Sequence, residues 1–117
     1  MTATIAVIAV AILHLAFLIL EMFLWSKPLG RRIFGLNREF AGQTASLAAN
    51  QGLYNGFLAA GLVWGLVSRQ PGNEITVFFL ACIIVAGIYG AVTVKRSILL
   101  VQALPGAVAL LLVLTSG

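Results

Sequence analysis

A chain of 117 residues with 62% hydrophobic and 9% charged residues departs far from soluble domains, which run at about 45–50% apolar and about 25% charged. So short a chain cannot hide that much apolar surface against itself in water, which excludes an ordinary soluble domain and makes lipid the expected solvent. The net charge of +4 comes from only seven Lys and Arg; they sit at the ends of apolar stretches, as in a membrane protein fixed in orientation, so no nucleic-acid partner is expected.

The first apolar segment covers residues 4–25 and is interrupted only by His14 and Glu21. It is long enough to span a bilayer, which takes roughly 20 residues, and Trp25 serves as an interfacial anchor. Its N-terminus lacks a basic region and its apolar run is too long for a signal sequence, so no cleavable signal peptide is expected. Lys27-Pro28-Leu29-Gly30 breaks the helix. Residues 26–44 then form a basic loop with Lys27, Arg31, Arg32, Arg38 and one acid, Glu39. Ile33, Phe34, Leu36 and Phe40 interrupt those charges, which predicts a short amphipathic piece lying on the membrane surface.

The second span is predicted over 44–67. Its first half is polar, with Asn50, Gln51, Tyr54 and Asn55, and its second half is apolar. Ser68 to Glu74 reads as a tight turn, with Gln70-Pro71-Gly72-Asn73 supplying the turn chemistry. A third span follows over 75–94, then the short connection Lys95-Arg96-Ser97, then a fourth span over 98–115 with Pro105 inside it. Pro105-Gly106 should kink or loosen that helix and free a carbonyl near Val101. Gly52 with Gly56, Gly61 with Gly65 and Ala86 with Gly90 are small-xxx-small pairs that let membrane helices approach closely. The two hairpins share no repeat. Cys82, the only cysteine, cannot form an internal disulfide.

These segments predict one all-α domain over residues 1–117, a four-transmembrane-helix bundle in the inner (plasma) membrane. The first and third connections hold Lys27, Arg31, Arg32, Arg38, Lys95 and Arg96, whereas the second holds only Arg69. The basic connections are therefore expected in the cytoplasm and both termini outside. The same bias argues against dual insertion and so against small multidrug-resistance exporters, which match in length, helix count and a first-helix carboxylate.

An ionisable group inside a bilayer costs about 2.5–3.5 kcal/mol or more and calls for a partner or a task. Glu21 lies four residues before Trp25, about 6 Å below the cytoplasmic interface at ~1.5 Å per residue. His14, Leu18, Glu21 and Trp25 fall on one helix stripe, expected to face the bundle interior. On the second span Asn50, Tyr54, Phe57 and Gly61 share a face, and Gln51, Asn55 and Leu58 share its neighbour. Thr93, Arg96 and Gln102 fall at similar depth on the third and fourth segments. A polar pocket open to the cytoplasm follows as an expectation, with Glu21, Asn50, Gln51, Tyr54, Asn55, Arg96, Gln102 and His14 as ligand-binding residues. The plainer reading is that Asn, Gln and Thr merely join helices by hydrogen bonds, each worth about 0.6–2 kcal/mol. One His and one Glu are too few for a metal site. A catalytic Ser-His-Asp set and a phosphate-binding loop are also missing.

The run Asn50-Gln51-Gly52-Leu53-Tyr54-Asn55-Gly56-Phe57-Leu58-Ala59-Ala60-Gly61 resembles the signature of a bacterial family of small four-helix inner-membrane proteins, domain of unknown function thirteen-oh-four. Leu20-Glu21-Met22-Phe23 with Trp25, Arg31 to Gly35, and Val101-Gln102-Ala103-Leu104-Pro105 also look like its pattern. The resemblance covers nearly the whole chain and implies a four-helix membrane protein without an established activity. A weaker similarity is to the membrane-associated eicosanoid and glutathione metabolism proteins, whose order of Arg, Asn and aromatic is echoed by Arg38, Asn50 and Tyr54. Leu53 stands where that family has a glutamate. This similarity implies a trimer with glutathione sites between subunits.

Three functions follow. The first is binding or transport of a small amphipathic molecule or cation at the polar site. The second is a glutathione-transferase-like membrane enzyme, with Arg96 and Arg38 holding an anionic cosubstrate and Asn50 orienting it. The third is a structural or assembly role in which polar groups only join helices. No cofactor is expected outside the second. A homo-oligomer, dimer or trimer, in membrane lipid is expected under all three, because a bundle this small has little internal volume.

Overall fold

The computed structural model describes residues 1–68 and 72–116, with Gly72 described by its backbone alone. Among the described residues the structure is all-helical and contains no strand. Helix α1 is Thr2–Met22, α2 is Pro28–Phe34, α3 is Arg38–Val67, α4 is Gly72–Thr93 and α5 is Leu104–Thr115, the last entered through a π-helical turn, Leu99–Ala103. Two of these, α1 and the α4 stretch Asn73–Thr93, are long and apolar enough to cross a membrane. The polar run Asn50 to Asn55 lowers the hydropathy of α3, and the π turn with α5 is shorter.

The boundaries have local causes. The amphipathic piece expected between the first two spans is α2, with Pro28 in its first turn, where its missing N–H is harmless. Helix α2 ends at Gly35, whose φ of 67° is a left-handed conformation that glycine adopts without a Cβ penalty. The N–H groups of Gly35 and Leu36 both donate to the Arg31 carbonyl. Helix α3 begins at Arg38, earlier than residue 44. Asn37 accepts the Phe40 N–H at 2.7 Å through its side chain and thereby satisfies one of the free donors of the first turn. Glu39 in that turn favours the positive end of the helix dipole. The turn expected at Gln70-Pro71-Gly72-Asn73 lies partly outside the described residues, and Gly72 and Asn73 already belong to α4.

Buried positions form narrow seams. In α3 they include Ala41, Ala48, Gly52, Asn55, Ala59 and Leu62; in α4 they include Thr76, Leu80, Ile83 and Gly87. Steps of three, four and seven residues are the spacing of helices that pack at a shallow angle along one stripe. Outside the seams the surface stays apolar, as at Ile5, Ile12 and Ile19 on α1 and at Phe78, Val85, Ile88 and Val92 on α4.

Packing divides the chain into two compact units. One comprises Met1–Ala11 and the chain from Leu58 onward. Its core contains Val7, Val10, Leu62, Leu80, Ile83 and Ala109. Here α4 lies against the π turn and α5. A Cβ on Gly87 would come within 2.5 Å of the Ala103 nitrogen, and one on Gly106 within 3.0 Å of Ile83 Cγ2. Leu104 donates to the Leu99 carbonyl five residues back, immediately before Pro105. Proline offers no N–H to Val101, and the wider π turn absorbs the interruption. The expected Ala86/Gly90 pair is replaced in this packing by Gly87 and Gly90, because Ala86 lies on the exposed side of α4.

The other unit is Ile12–Phe57: the second part of α1, all of α2 and the first part of α3. Gly52 and Gly56 allow α3 to sit close to α1. A Cβ on Gly52 would be 2.7 Å from Met22 Cγ and 3.1 Å from Glu21 Cβ, and a Cβ on Gly56 would be 2.7 Å from Leu18 Cδ1.

Candidate functional site

Within the Ile12–Phe57 unit the last turns of α1 meet the glycines of α3, and a polar contact lies at that crossing. Asn55 Nδ2 donates to Glu21 Oε1 at 2.5 Å across 34 residues of sequence. Asn55 is 3% exposed and Glu21 is half-buried. Both lie among apolar side chains and small residues, where water competes weakly and a hydrogen bond to a carboxyl group is worth more than at a surface. The closeness depends on Gly52, one turn from Asn55 on the same buried seam.

A second cross-link lies toward α2. The Trp25 indole N–H donates to Thr44 Oγ1 at 2.9 Å, and the Thr44 hydroxyl donates to the Phe40 carbonyl at 2.7 Å. The Trp25 ring also rests on Phe34 of α2, with centroids 4.8 Å apart. The sequence marked Trp25 only as an interfacial anchor and Thr44 only as the start of a span. A donor and an acceptor 19 residues apart carry no sequence signal of their pairing. Leu18, Glu21 and Trp25, three members of the predicted α1 stripe, thus all meet α3.

Asn50 and Gln51 are exposed, and Tyr54 is 52% exposed with its ring 5.9 Å from Phe57. The α3 seam runs through Ala48, Gly52, Asn55 and Ala59, so those three side chains fall on its outer sides. His14 is fully buried on α1 and stands edge-on to Phe17 at 5.3 Å. Arg96 and Gln102 belong to the other unit, Arg96 exposed after α4 and Gln102 half-buried in the π turn. The Thr93 hydroxyl donates to the Tyr89 carbonyl one turn back on its own helix. No group of three or more His, Cys, Asp and Glu gathers among the described residues.

Comparison with known proteins sets this geometry in a lineage. The family model described as "Protein of unknown function (DUF1304)" matches residues 8–114. The chain belongs to the DUF1304 family. Glu21, Asn55, Trp25 and Thr44 all lie inside the matched range, as do Arg96 and Gln102. The DUF1304 chain is also similar to the uncharacterized protein YpaA of Lactococcus lactis, with 31% identity over 99 residues, 83% of this chain and 81% of that protein. No solved structure matches it.

Proposed function

We propose that this DUF1304 protein is a multi-pass protein of the inner (plasma) membrane that binds or transports a small amphipathic molecule with a cationic or hydrogen-bond-donating head. The Glu21–Asn55 pair is its polar anchor.

The membrane part of this reading rests on burial as well as composition. The core helix of a soluble protein is mostly buried, yet only 28% of the α1 window and 22% of the α4 window are covered. Helices that are apolar all round and packed only along a narrow seam need a non-aqueous surrounding. We take α3 through its apolar second half and the helix ending in α5 as the other two spans of a four-helix bundle. The exposed Lys27, Arg32 and Arg38 on one connection, and Lys95 and Arg96 on another, favour a cytoplasmic side for both. Both termini are then outside. A dimer or trimer belongs to the same reading, since the chain encloses little volume of its own.

The observation that carries the binding role is the Asn55 hydrogen bond to Glu21 inside apolar helices. A carboxyl group kept at that depth is costly and is characteristically tied to substrate or ion pathways. The test is thermal stabilisation of the purified protein in detergent by tetraphenylphosphonium and, separately, by glutathione. Stabilisation by the lipophilic cation that Glu21→Gln reduces at least tenfold in apparent affinity supports the reading. Stabilisation by glutathione alone favours a glutathione-transferase-like enzyme.

One observation favours a second reading. Asn55 already supplies Glu21 with a partner, and Asn50 and Gln51 point away from the seam. A structural or assembly protein needs no more than that. If Glu21→Gln and Asn50→Ala change only the melting temperature, this second reading replaces the first.

A further inference from the structure

We propose that α2 with its flanking residues is a binding surface for the phosphate headgroups of anionic phospholipids. This inference rests on the membrane placement proposed above and is independent of the Glu21–Asn55 site.

Helix α2 is anchored on one side and open on the other. Gly30 is buried, and a Cβ there would collide with the Leu24 carbonyl, so the helix is pressed onto the turn that follows α1. Phe34, one turn on, packs against Trp25. The adjoining flank, about 100° round the helix, carries Leu29 and Ile33, each 51% exposed; four residues apart on a helix, they form one apolar ridge. Arg32 lies beside that ridge and is exposed, as are Lys27 just before the helix and Arg38 just after it. An exposed apolar ridge bordered by cations suits neither bulk water nor the hydrocarbon core. It suits the boundary between headgroups and acyl chains, where an amphipathic helix lies flat.

Charge selects which lipid. Between residues 27 and 39 four cations face one acid, Glu39. Such a juxtamembrane cluster attracts anionic headgroups, at about 1 kcal/mol per Lys or Arg, or roughly fivefold in affinity. Arg31 adds a specific signal. Its Nε is buried and has no hydrogen-bond partner among the described residues, a state that buried donors rarely keep. A guanidinium offers a planar fork that matches two phosphate oxygens, and Arg31 is only half-buried, so the outer part of its fork suits a headgroup drawn to this corner.

The experiment reconstitutes the full-length protein into nanodiscs of phosphatidylcholine containing increasing fractions of phosphatidylglycerol. Thermal stability is the readout, with inorganic phosphate added to pure phosphatidylcholine discs as a control. The expected result is stabilisation that saturates with phosphatidylglycerol, with no comparable response to inorganic phosphate. Arg32→Gln and Lys27→Gln, both at exposed positions, should each weaken the apparent affinity about fivefold. Arg31→Lys, which keeps the charge and removes the fork, should weaken it further than its unchanged charge accounts for. Arg69→Gln, outside this cluster, should leave it unchanged. Equal stability in both lipids, an equal response to inorganic phosphate, or indifference to Arg32→Gln and Lys27→Gln would overturn the inference. Failure to enter a bilayer at all would instead remove the membrane reading beneath it.

Discussion

Removing either partner of the Glu21–Asn55 hydrogen bond strands the other in an apolar seam, and the two removals differ in kind. Asn55→Leu leaves the Glu21 carboxyl without its amide and should cost about 1–3 kcal/mol. Glu21→Gln keeps an acceptor oxygen within reach and should cost less. Replacing both by leucine should restore part of the loss, because neither polar group is then left unpaired. Thermal unfolding of the two leucine single variants and the double variant in detergent checks this. Simple additivity would mean that the two side chains do not support each other. Two glycines give a matched pair of expectations on α3. Gly52→Ala introduces a Cβ within 2.7 Å of Met22 Cγ and should destabilise by about 1–3 kcal/mol through overpacking. Gly42→Ala meets nothing within 4 Å and should stabilise by about 0.5–1 kcal/mol through helix propensity. At this scale the sequence marked Glu21 as needing a partner, because a carboxyl group in an apolar run is anomalous whatever surrounds it. It could not choose among Asn50, Gln51 and Asn55. That choice depends on which stripe of α3 is buried, and the stripe is set by where α1 packs.

Helix α3 shows how a local signal is lost among louder ones. Asn37 followed by Glu39 is a helix start, but both lie in a segment dominated by Arg31, Arg32 and Arg38 that reads as loop. The structure resolves the competition through the 2.7 Å bond from the Phe40 N–H to Asn37. Asn37→Ala should cost about 1 kcal/mol. It should also fray the first turn, visible as faster amide exchange at Phe40 and Ala41, whose N–H groups both bond to Asn37, with the rest of α3 unchanged. Equal protection in the variant would mean that the cap contributes nothing. The π turn before α5 is the opposite case. Pro105 announced an interruption, and one occurs there, but its form was not readable. Whether a helix kinks or takes up an extra residue depends on the neighbour, here Gly87 of α4 against Ala103. The same dependence moved the packing pair from Ala86 to Gly87. Long apolar runs were legible because they follow from composition. Seams, caps and the π turn arise only once two helices meet.

For the whole molecule, solvent and side are what matter. The described residues form helices and their connections without a strand, the family is one of unknown function, and two helices are long and apolar enough to span a bilayer. On the reading proposed above, the chain crosses four times and its basic corners face the cytoplasm. On that reading Glu21 and Asn55 lie a turn or two beneath the cytoplasmic headgroups. Site-directed cysteine labelling with a membrane-impermeant maleimide, in a Cys82→Ala background, tests this most directly. Ser26→Cys and Ser97→Cys should resist the reagent in intact cells and react after lysis, while Thr2→Cys and Ser116→Cys should react from outside. Labelling of Ser26→Cys in intact cells, or recovery of the protein in the soluble fraction, would contradict the account.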